Sequence, residues 1–264
     1  MSAAINGATI DRAASRRPPA SLALRCRCIF SATAALFIMA VGSVLMLIVG
    51  IVTLFQTRRF QAEVMLKRLS QAAFWIAGVK MIVHDQPRPE RQVVYISNHT
   101  STIDVFVLTA LGLPNTRFFM SGFLRKNPAM CIMGYLTGTF WTVPQQFPEV
   151  RKKIFQRAER VLRRTGESVY LSPEGDRVTT GEIGHFNKGS FHLATKLKAP
   201  IVPFYIAIPK EIDPGRGVDV RPGVLHVHFR PAIASDDWRE EDVDRNRTQV
   251  RDYFVRLHVE LKLA

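Results

Sequence analysis

A histidine and an aspartate lie close together where a predicted strand meets a predicted helix. In "VVYISNHTSTIDVF" (93–106), His99 follows the strand and Asp104 falls in the first turns of the helix. The loop between them can fold the imidazole back, so that one ring nitrogen donates to the carboxylate. That bond would fix the tautomer and leave the other ring nitrogen free to accept a proton. Thr100 or Ser101 is the candidate helix cap, which places Asp104 at the positive end of the helix dipole.

The sequence offers this pair no nucleophile of its own. It has no G-x-S-x-G elbow, and the three cysteines, Cys26, Cys28 and Cys131, are not placed for a Cys–His pair. A general base without a protein nucleophile suits an enzyme whose nucleophile is a substrate hydroxyl. An isolated H-x4-D segment is more often a capped turn with an incidental histidine, so other motifs have to decide between the two interpretations.

A second polar turn follows a later predicted strand, in the segment "YLSPEGDR". Pro173 and Gly175 predict a tight turn at the strand end, which is where α/β sheets bind ligands. Arg177 could grip a phosphate with two N–H groups, and Lys188, just before a helix, offers a second anionic contact. Glu174 could bind a substrate hydroxyl or organise Arg177. Taken alone, the turn could equally be a polar loop with solvated charges.

Together the two motifs resemble the glycerophospholipid acyltransferase family, the lysophosphatidic acid acyltransferases of the PlsC type. That family carries an N-H-x4-D block, a central block with an arginine, a P-E-G-T-R block followed by F-K-x-G, and a V-P-V-like block. The corresponding segments here are residues 98–104, 121–144, 173–177 with 186–189, and 201–204. The resemblance covers about residues 85–233, with the blocks in the family's order.

The resemblance implies a reaction and a role for each motif residue. His99 would be the general base that deprotonates the acceptor hydroxyl, and Asp104 would orient and charge it. The hydroxyl would attack the thioester of an acyl-CoA or acyl-carrier protein, giving an ester and a free thiol. The acceptor is expected to be 1-acylglycerol-3-phosphate, which would give phosphatidic acid, and neither a metal nor a redox cofactor is implied. The substrate-binding positions would be Asn98, Glu174, Gly175, Arg177 and Lys188.

Two departures from the family pattern leave the acceptor headgroup open. Asp176 replaces the usual threonine before the arginine of the P-E-G-T-R block. In the central block, the arginine position after Gly138 is Pro144, and Arg125 or Lys126 would have to compensate. The alternatives are therefore acylation of another lyso-lipid, such as lyso-ornithine lipid, and a non-catalytic, membrane-tethered basic protein that binds lipid.

An uncharged run of thirty residues, from Cys28 to Thr57, predicts a membrane segment. A helix needs roughly 20 apolar residues to cross a bilayer, whereas the apolar part of a signal peptide has about 7–15. The run is either a tilted span or a segment bent near Gly42 or Gly50 that re-enters one leaflet. Five basic residues on each side leave the orientation open.

Strand and helix patterns alternate after this run and predict an α/β domain with a largely parallel central sheet flanked by helices. A membrane helix or helical hairpin would precede it. The predicted strands are 91–97, 117–121, 140–144, 168–173, 200–208 and 223–233, and the predicted helices are 102–112, 148–166, 189–199 and 236–262. The predicted segments are a basic, disordered N-terminus (1–27), the membrane segment (28–57), an amphipathic linker helix (58–85) and an acyltransferase domain (86–264).

The formal net charge of +14 favours anionic partners. Membrane lipids, a lysophospholipid and the acyl donor are expected, while nucleic acid is not, because no binding motif or interleaved aromatic residues accompany the basic residues. The expected location is a bacterial inner membrane, with the domain on the cytoplasmic side. His226 and His228 share a strand face, but without H-E-x-x-H or clustered carboxylates they are expected to be ordinary strand histidines.

Overall fold

The computed structural model describes residues 21–213 and 220–263. Its strands are β1 (Val79–His84), β2 (Val94–Ser97), β3 (Thr116–Ser121), β4 (Phe140–Thr142), β5 (Ser168–Tyr170), β6 (Ile201–Ala207) and β7 (Gly223–Phe229). Its α-helices are α1 (Leu22–Val52), α2 (Arg58–Phe60), α3 (Lys67–Ala77), α4 (Asp104–Leu111), α5 (Pro128–Leu136), α6 (Pro148–Thr165), α7 (Gly189–Leu197) and α8 (Val243–Leu263). A π-helical stretch, Gln61–Leu66, joins α2 to α3.

The seven strands form one sheet in the order β1-β7-β6-β2-β5-β3-β4. Neighbouring strands are parallel except β6 and β7, which are antiparallel. This confirms the predicted α/β class with a largely parallel sheet. Strands β2 and β5 are direct neighbours, with Val94 opposite Val169. Because parallel neighbours end at the same edge of a sheet, the loops after β2 and β5 meet there.

Helices cover both faces of the sheet and bury a core on each. One core contains Phe191 of α7 and Phe254 of α8, and the other contains Phe74 of α3 and Val107 of α4. Alternate residues of β6 and β2 therefore face different cores, and both strands are buried throughout. Burial on both faces makes the middle of the sheet a rigid support for the loops at its edge.

The N-terminal helix begins earlier than the sequence suggests. Residues 1–27 are predicted to be disordered, yet α1 starts at Leu22, and the Ser21 side chain accepts a hydrogen bond from the Leu24 N–H at 3.2 Å. That cap satisfies one of the free N–H groups of the first turn and stabilises the helix start. The prediction of disorder is therefore wrong from Leu22 onward, and residues 1–20 lie outside the described residues.

Helix α1 does not bend at its glycines. A Cβ on Gly42 would lie 2.5 Å from Leu69 Cδ1, and one on Gly50 would lie 3.0 Å from Leu136 Cδ2. Both positions are therefore points of close helix packing rather than hinges. The next helices run back along α1, since Gln61 Nε2 contacts the Met46 carbonyl at 3.4 Å. The apolar run is therefore one continuous helix, like the predicted membrane helix, and not a segment bent at its glycines. It forms a helical hairpin with α3, which the sequence analysis assigned to the linker helix.

One face of α1 packs on the protein and the other is exposed. Phe30 and Phe37 are 68% and 69% exposed, whereas Met39 and Met46 are buried against α3 and α5. Within the described residues, α1 is the one helix that is long and apolar enough to cross a membrane. An apolar helix face that no protein covers suits contact with lipid.

The predicted linker helix 58–85 ends sooner than expected. The helical stretch stops at Ala77, because Gly78 takes a left-handed conformation with φ of +71°. The next residues, V-K-M-I-V-H, form β1, which pairs with β7 in parallel. Strand β1 was not predicted, and it moves the start of the sheet domain from residue 86 to Val79.

Smaller differences affect the remaining elements. The last predicted strand, 223–233, ends at Phe229, and the last predicted helix, 236–262, starts at Val243. Helix α5 has no counterpart among the predicted helices. Asn127 caps it by accepting a hydrogen bond from the Met130 N–H at 3.2 Å, and proline at the first position suits a helix start.

Candidate active site

His99 and Asp104 form the contact that their spacing predicts. His99 Nδ1 donates to Asp104 Oδ2 at 2.7 Å, and the same oxygen accepts the main-chain N–H groups of Thr100 and Ser101 at 2.9 Å and 3.0 Å. The Asp104 side chain is 1% exposed, whereas that of His99 is 30% exposed. Since the carboxylate can only accept, Nδ1 carries the ring proton. Nε2 makes no hydrogen bond within the described part of the chain and is left as a base.

The turn before α4 is built differently from the prediction. Helix α4 starts at Asp104 itself, and the preceding residue, Ile103, has no capping side chain. The Ser101 hydroxyl accepts the Ile103 N–H at 3.0 Å and donates to the Asp213 carboxylate. Neither Thr100 nor Ser101 is therefore the cap. The carboxylate of Asp104 is stabilised directly, by its position in the first turn of α4 and by the N–H groups around it.

The side chain of Asn98 holds the loop to the sheet. It is fully buried, its Nδ2 donates to the Ile206 carbonyl at 2.9 Å, and its Oδ1 accepts the Ile206 N–H at 2.8 Å. Through both ends of its amide, the Asn98 side chain continues the pairing of β2 with β6 beyond Ser97. Asn98 was predicted to bind substrate, but this geometry makes it a positioning residue for His99, because its amide faces β6 and is occupied there.

Glu174 joins the two loops at the sheet edge. Its Oε2 accepts the main-chain N–H of His99 at 2.6 Å, and its Oε1 accepts that of Gly184 at 2.8 Å. Burial raises the pKa of Glu174, although hydrogen bonds from the Gly184 and His99 N–H groups oppose this effect. The prediction offered a substrate hydroxyl or Arg177 as its partner. The structure instead gives both oxygens to the backbone.

Two further hydrogen bonds fix the second loop against the first. The Val178 N–H donates to the His99 carbonyl at 2.8 Å, and Arg177 Nη1 donates to the Thr102 hydroxyl. His99 is therefore held through its N–H, its carbonyl and its ring. The exposed guanidinium of Arg177 lies beside the loop that carries the base. The structure thus brings His99, Asp104, Glu174 and Arg177 together, as the sequence motifs predict.

Gly175 is required by the shape of the turn. Its φ is +76°, and a Cβ there would lie 2.7 Å from Asn187 Nδ2. That amide donates to the Pro173 and Glu174 carbonyls at 3.1 Å and 2.9 Å. Any side chain at 175 would strain the backbone and displace Asn187. Asn187 was not predicted as a site residue, although it lies in residues 186–189, the segment that corresponds to the F-K-x-G block.

Comparisons with known proteins give a family match across this part of the chain. Residues 80–207 match the family model described as Acyltransferase. These residues belong to the acyltransferase family.

Several curated proteins are similar to this chain. The chain is 28% identical over 189 residues to the 1-acyl-sn-glycerol-3-phosphate acyltransferase of Limnanthes douglasii, a match covering 69% of this chain and 64% of the relative. It is 27% identical over 177 residues to the protein of that name from Saccharomyces cerevisiae, covering 66% of this chain and 58% of the relative. The chain therefore matches less than two thirds of the length of these relatives.

A solved structure has the same fold. It is the 1-acyl-sn-glycerophosphate (LPA) acyltransferase PlsC from Thermotoga maritima, which superposes with a TM-score of 0.71 over 91% of this chain and 98% of that chain. The sequences are 20% identical, so the likeness concerns the fold. Because it covers nearly the whole chain, the shared fold includes more than the acyltransferase domain.

The side chain of Lys188 pairs with a residue that is not one of the candidate site residues. Its Nζ forms an exposed ion pair with Asp244 of α8 at 2.7 Å. No hydrogen bond joins it to His99, Glu174 or Arg177 in the part of the chain that the structure describes. An exposed pair of this kind contributes little to stability, so the ammonium group can exchange its partner at low cost.

Gln145 is a neighbour of the site that the sequence did not suggest. It follows Pro144, the position where the family has its arginine, and its Nε2 donates to Asp176 Oδ2 at 3.3 Å. Both side chains are exposed. Arg125 and Lys126, the proposed substitutes for that arginine, are also exposed and lie in a short 3₁₀ helix after β3. Gln145 therefore connects the loop after β4 to the turn at residues 173–177.

An apolar cavity of about 20 Å³ lies beside α4 in the acyltransferase domain. Val105, the neighbour of Asp104, lines it together with Met39 of α1 and the methionines Met130 and Met133 of α5. An acyl chain needs far more room than this. Methionine side chains are flexible and change rotamer readily, so their movement can enlarge such a cavity.

Proposed function

We propose that this protein transfers a fatty acyl group from an acyl-CoA or acyl-carrier-protein thioester to the free hydroxyl of a lysophospholipid. The acceptor best supported is 1-acylglycerol-3-phosphate, with phosphatidic acid as the product. The observation that carries the proposal is the His99–Asp104 pair, in which Nδ1 is bound to the carboxylate and Nε2 is available. The names of the relatives and the family match support the same reaction.

The proposed chemistry needs one base. Nε2 of His99 takes the proton from the acceptor hydroxyl as its oxygen forms a bond with the thioester carbonyl carbon. Asp104 stabilises the imidazolium that results. The carbon–sulfur bond then breaks, the electron pair leaves with sulfur, and Nε2 returns its proton to give the free thiol. The ester product keeps the acceptor's oxygen, and His99 is restored to its starting form.

Arg177 is the proposed phosphate contact. Its guanidinium can present two parallel N–H groups to phosphate oxygens, and its hydrogen bond to Thr102 places it beside the loop of the base. A phosphate held there would put the neighbouring glycerol hydroxyl within reach of His99. The exposed carboxylate of Asp176 favours a second candidate acceptor, a lyso-lipid with a cationic headgroup such as lyso-ornithine lipid.

Membrane attachment is part of the proposal. The exposed apolar face of α1 would lie in lipid, and the helical hairpin would hold the domain at the surface from which the acceptor comes. Met39 links α1 to the cavity beside α4, so the acyl chain could enter from the same side. Location at the cytoplasmic face of a bacterial inner membrane stays a prediction.

The test is an acyl-transfer assay in lipid vesicles that contain the full chain. Labelled acyl-CoA or acyl-carrier protein is supplied with 1-acylglycerol-3-phosphate or lyso-ornithine lipid. We expect transfer to 1-acylglycerol-3-phosphate, its loss in His99→Ala, and its retention in His185→Ala, an exposed histidine outside the pair. Transfer to lyso-ornithine lipid alone would identify that lipid as the acceptor instead of 1-acylglycerol-3-phosphate. If no lyso-lipid were acylated, the protein would be a lipid-binding protein instead.

A further inference from the structure

Three histidines that are distant in the sequence meet at one edge of the sheet. His84 ends β1, and His226 and His228 lie on β7, with His84 directly opposite His228 in the parallel pairing. His84 Nε2 is 3.0 Å from His226 Nδ1. One nitrogen from each of the three rings can be chosen so that all lie within 4.8 Å of one another. The sequence pattern identified the two histidines of β7. The third histidine of the cluster, His84, lies on β1, which was not predicted.

The three side chains lie on one face of the β1–β7 pair. The opposite face packs on the core that contains Phe74 and Val107. Leu225, Val227 and Phe229 alternate with them and are buried, whereas the histidines are half-buried. The rings are nearly parallel, and the centroids of His84 and His228 are 4.4 Å apart.

We propose that His84, His226 and His228 bind one Zn²⁺ ion. Imidazole nitrogens are preferred ligands of zinc and similar transition-metal ions, whereas Mg²⁺ and Ca²⁺ require oxygen ligands. Tetrahedral nitrogen ligands at about 2.0–2.1 Å from zinc are about 3.3 Å apart. His84 Nε2 and His226 Nδ1 share a hydrogen bond at 3.0 Å, so they are already close to that spacing, and both rings would turn toward the ion. The ring of His228 reaches the ion by rotation about χ2, which is a soft torsion for histidine.

Three protein ligands leave a fourth position for water or for a further side chain. Asp85 directly follows His84 along the chain and is exposed. Its carboxylate can take the fourth position or orient a bound water. A carboxylate that binds the ion or holds its bound water typically strengthens zinc binding.

The bound ion would fasten the edge of the sheet. Strand β1 is an outer strand whose one neighbour is β7, and it directly follows the helical hairpin. A zinc ion shared by β1 and β7 would couple the hairpin to the sheet by three coordinate bonds. Since the ion binds the folded form, zinc would raise the melting temperature of the protein.

The test is a zinc titration of the full chain in detergent, purified without a polyhistidine tag and stripped of metal with a chelator. We expect one Zn²⁺ per chain by equilibrium dialysis and mass spectrometry, and a higher melting temperature with zinc. His84→Ala should bind zinc at least about tenfold more weakly, because one ligand is lost. His185→Ala, a matched change at an exposed histidine outside the cluster, should bind like the wild type.

A second variant and a spectroscopic probe guard against a folding defect. His226→Gln keeps the size and polarity of the side chain, and circular dichroism checks that it is folded. Co²⁺ in place of zinc should give the visible absorption of a tetrahedral site in the wild type but not in His226→Gln. Equal zinc affinity of wild type, His84→Ala and His226→Gln would overturn the proposal, as would the absence of bound zinc after dialysis. These readouts do not depend on acyl transfer.

Discussion

The main-chain N–H of His99 donates to the buried carboxylate of Glu174 at 2.6 Å. The residue proposed as the base is thus held by the loop that is proposed to bind the acceptor. Val178 of the same loop donates to the His99 carbonyl at 2.8 Å. The position of the imidazole therefore depends on both loops, and substitutions in the second should act on the chemistry of the first.

Glu174→Gln should lower both stability and kcat. The amide has one acceptor oxygen where the carboxylate has two, so the N–H of His99 or of Gly184 would lose its partner. An unpaired buried N–H costs about 1–3 kcal/mol, which denaturant unfolding would measure. Glu182→Gln, an exposed change in the same loop, is the control. If both variants behaved alike, the carboxylate would have no role in positioning His99.

Asp104→Asn should reduce kcat by about 10²–10⁴-fold with little change in the KM values. The asparagine oxygen can replace Oδ2 and keep its three N–H donors, but the neutral amide stabilises the imidazolium formed on His99 far less than the carboxylate does. Single-turnover kinetics with saturating donor and acceptor measure the effect. Asp236→Asn, at an exposed aspartate paired with Arg91, is the matched control. A wild-type rate in Asp104→Asn would rule out the proposed base.

Arg177→Ala should raise the KM for 1-acylglycerol-3-phosphate about 10–100-fold, since charge-assisted hydrogen bonds contribute about 1.5–3 kcal/mol each. The KM for the acyl donor should change much less. Arg239→Ala, at an exposed arginine paired with Glu241, controls for the loss of one positive charge. An unchanged acceptor KM in Arg177→Ala would exclude the phosphate contact.

Gly175→Ala should lose activity as well as stability. The left-handed backbone costs alanine about 1–2 kcal/mol, and the added Cβ would also push Asn187 away from the turn. Gly166→Ala is the matched control, because Gly166 has a φ of +67° but no atom within 4 Å of the added Cβ. Both variants should melt at lower temperatures, and only Gly175→Ala should also lose acyl transfer. Full activity in Gly175→Ala would show that this turn tolerates distortion.

We expect the protein to lose stability in mild acid because of His258. Tyr205 donates to its Nδ1 at 2.5 Å, and its Nε2 donates to the Gly181 carbonyl at 2.9 Å, so α8 holds the loop after the P-E-G-D-R turn. Burial, helped by Lys262, lowers the pKa of His258 below its ordinary value of 6.5. The unfolded chain then binds a proton more readily than the folded one. Stability is therefore full above pH 6.5 and falls as the pH drops toward the lower folded pKa.

His258→Gln tests this dependence. Glutamine can still donate to the Gly181 carbonyl but does not titrate, so the unfolding free energy of the variant should fall less steeply between pH 6.5 and 5 than that of the wild type. His192→Gln, at an exposed histidine paired with Glu240, serves as the comparison. Parallel pH profiles for wild type and His258→Gln would assign the acid sensitivity to other groups.

The sequence predicts best where the signal is local. His99 and Asp104 are five residues apart, and the loop between them allows few conformations that do not bring the ring to the carboxylate. The alternation of strands and helices likewise revealed the parallel sheet. Glycines at helix ends, such as Gly112 and Gly166, marked correct boundaries because they adopt the left-handed conformation in which helices stop.

The missed features depend on partners far along the chain. Strand β1 looks like the end of an amphipathic helix until β7 pairs with it, about 144 residues later by the register of Val79 with Gly223. Nothing in the sequence around Glu174 indicates that its carboxylate accepts the N–H groups of His99 and Gly184. Asn98 similarly gains its meaning from Ile206. Local patterns contain no information about such contacts, which the tertiary fold creates.

The shared hydrogen bonds of His99 with Glu174 and Val178 limit how substrate preference can be redesigned. Changes at Glu174, Gly175 or Arg177 would alter the headgroup contact and the catalytic geometry together, so gains in selectivity would come with slower turnover. Gln145 and Asp176 are better starting positions, because their exposed side chains contact each other and not the base. Selectivity should therefore be easier to change at the exposed Gln145–Asp176 contact than at the residues that hold His99.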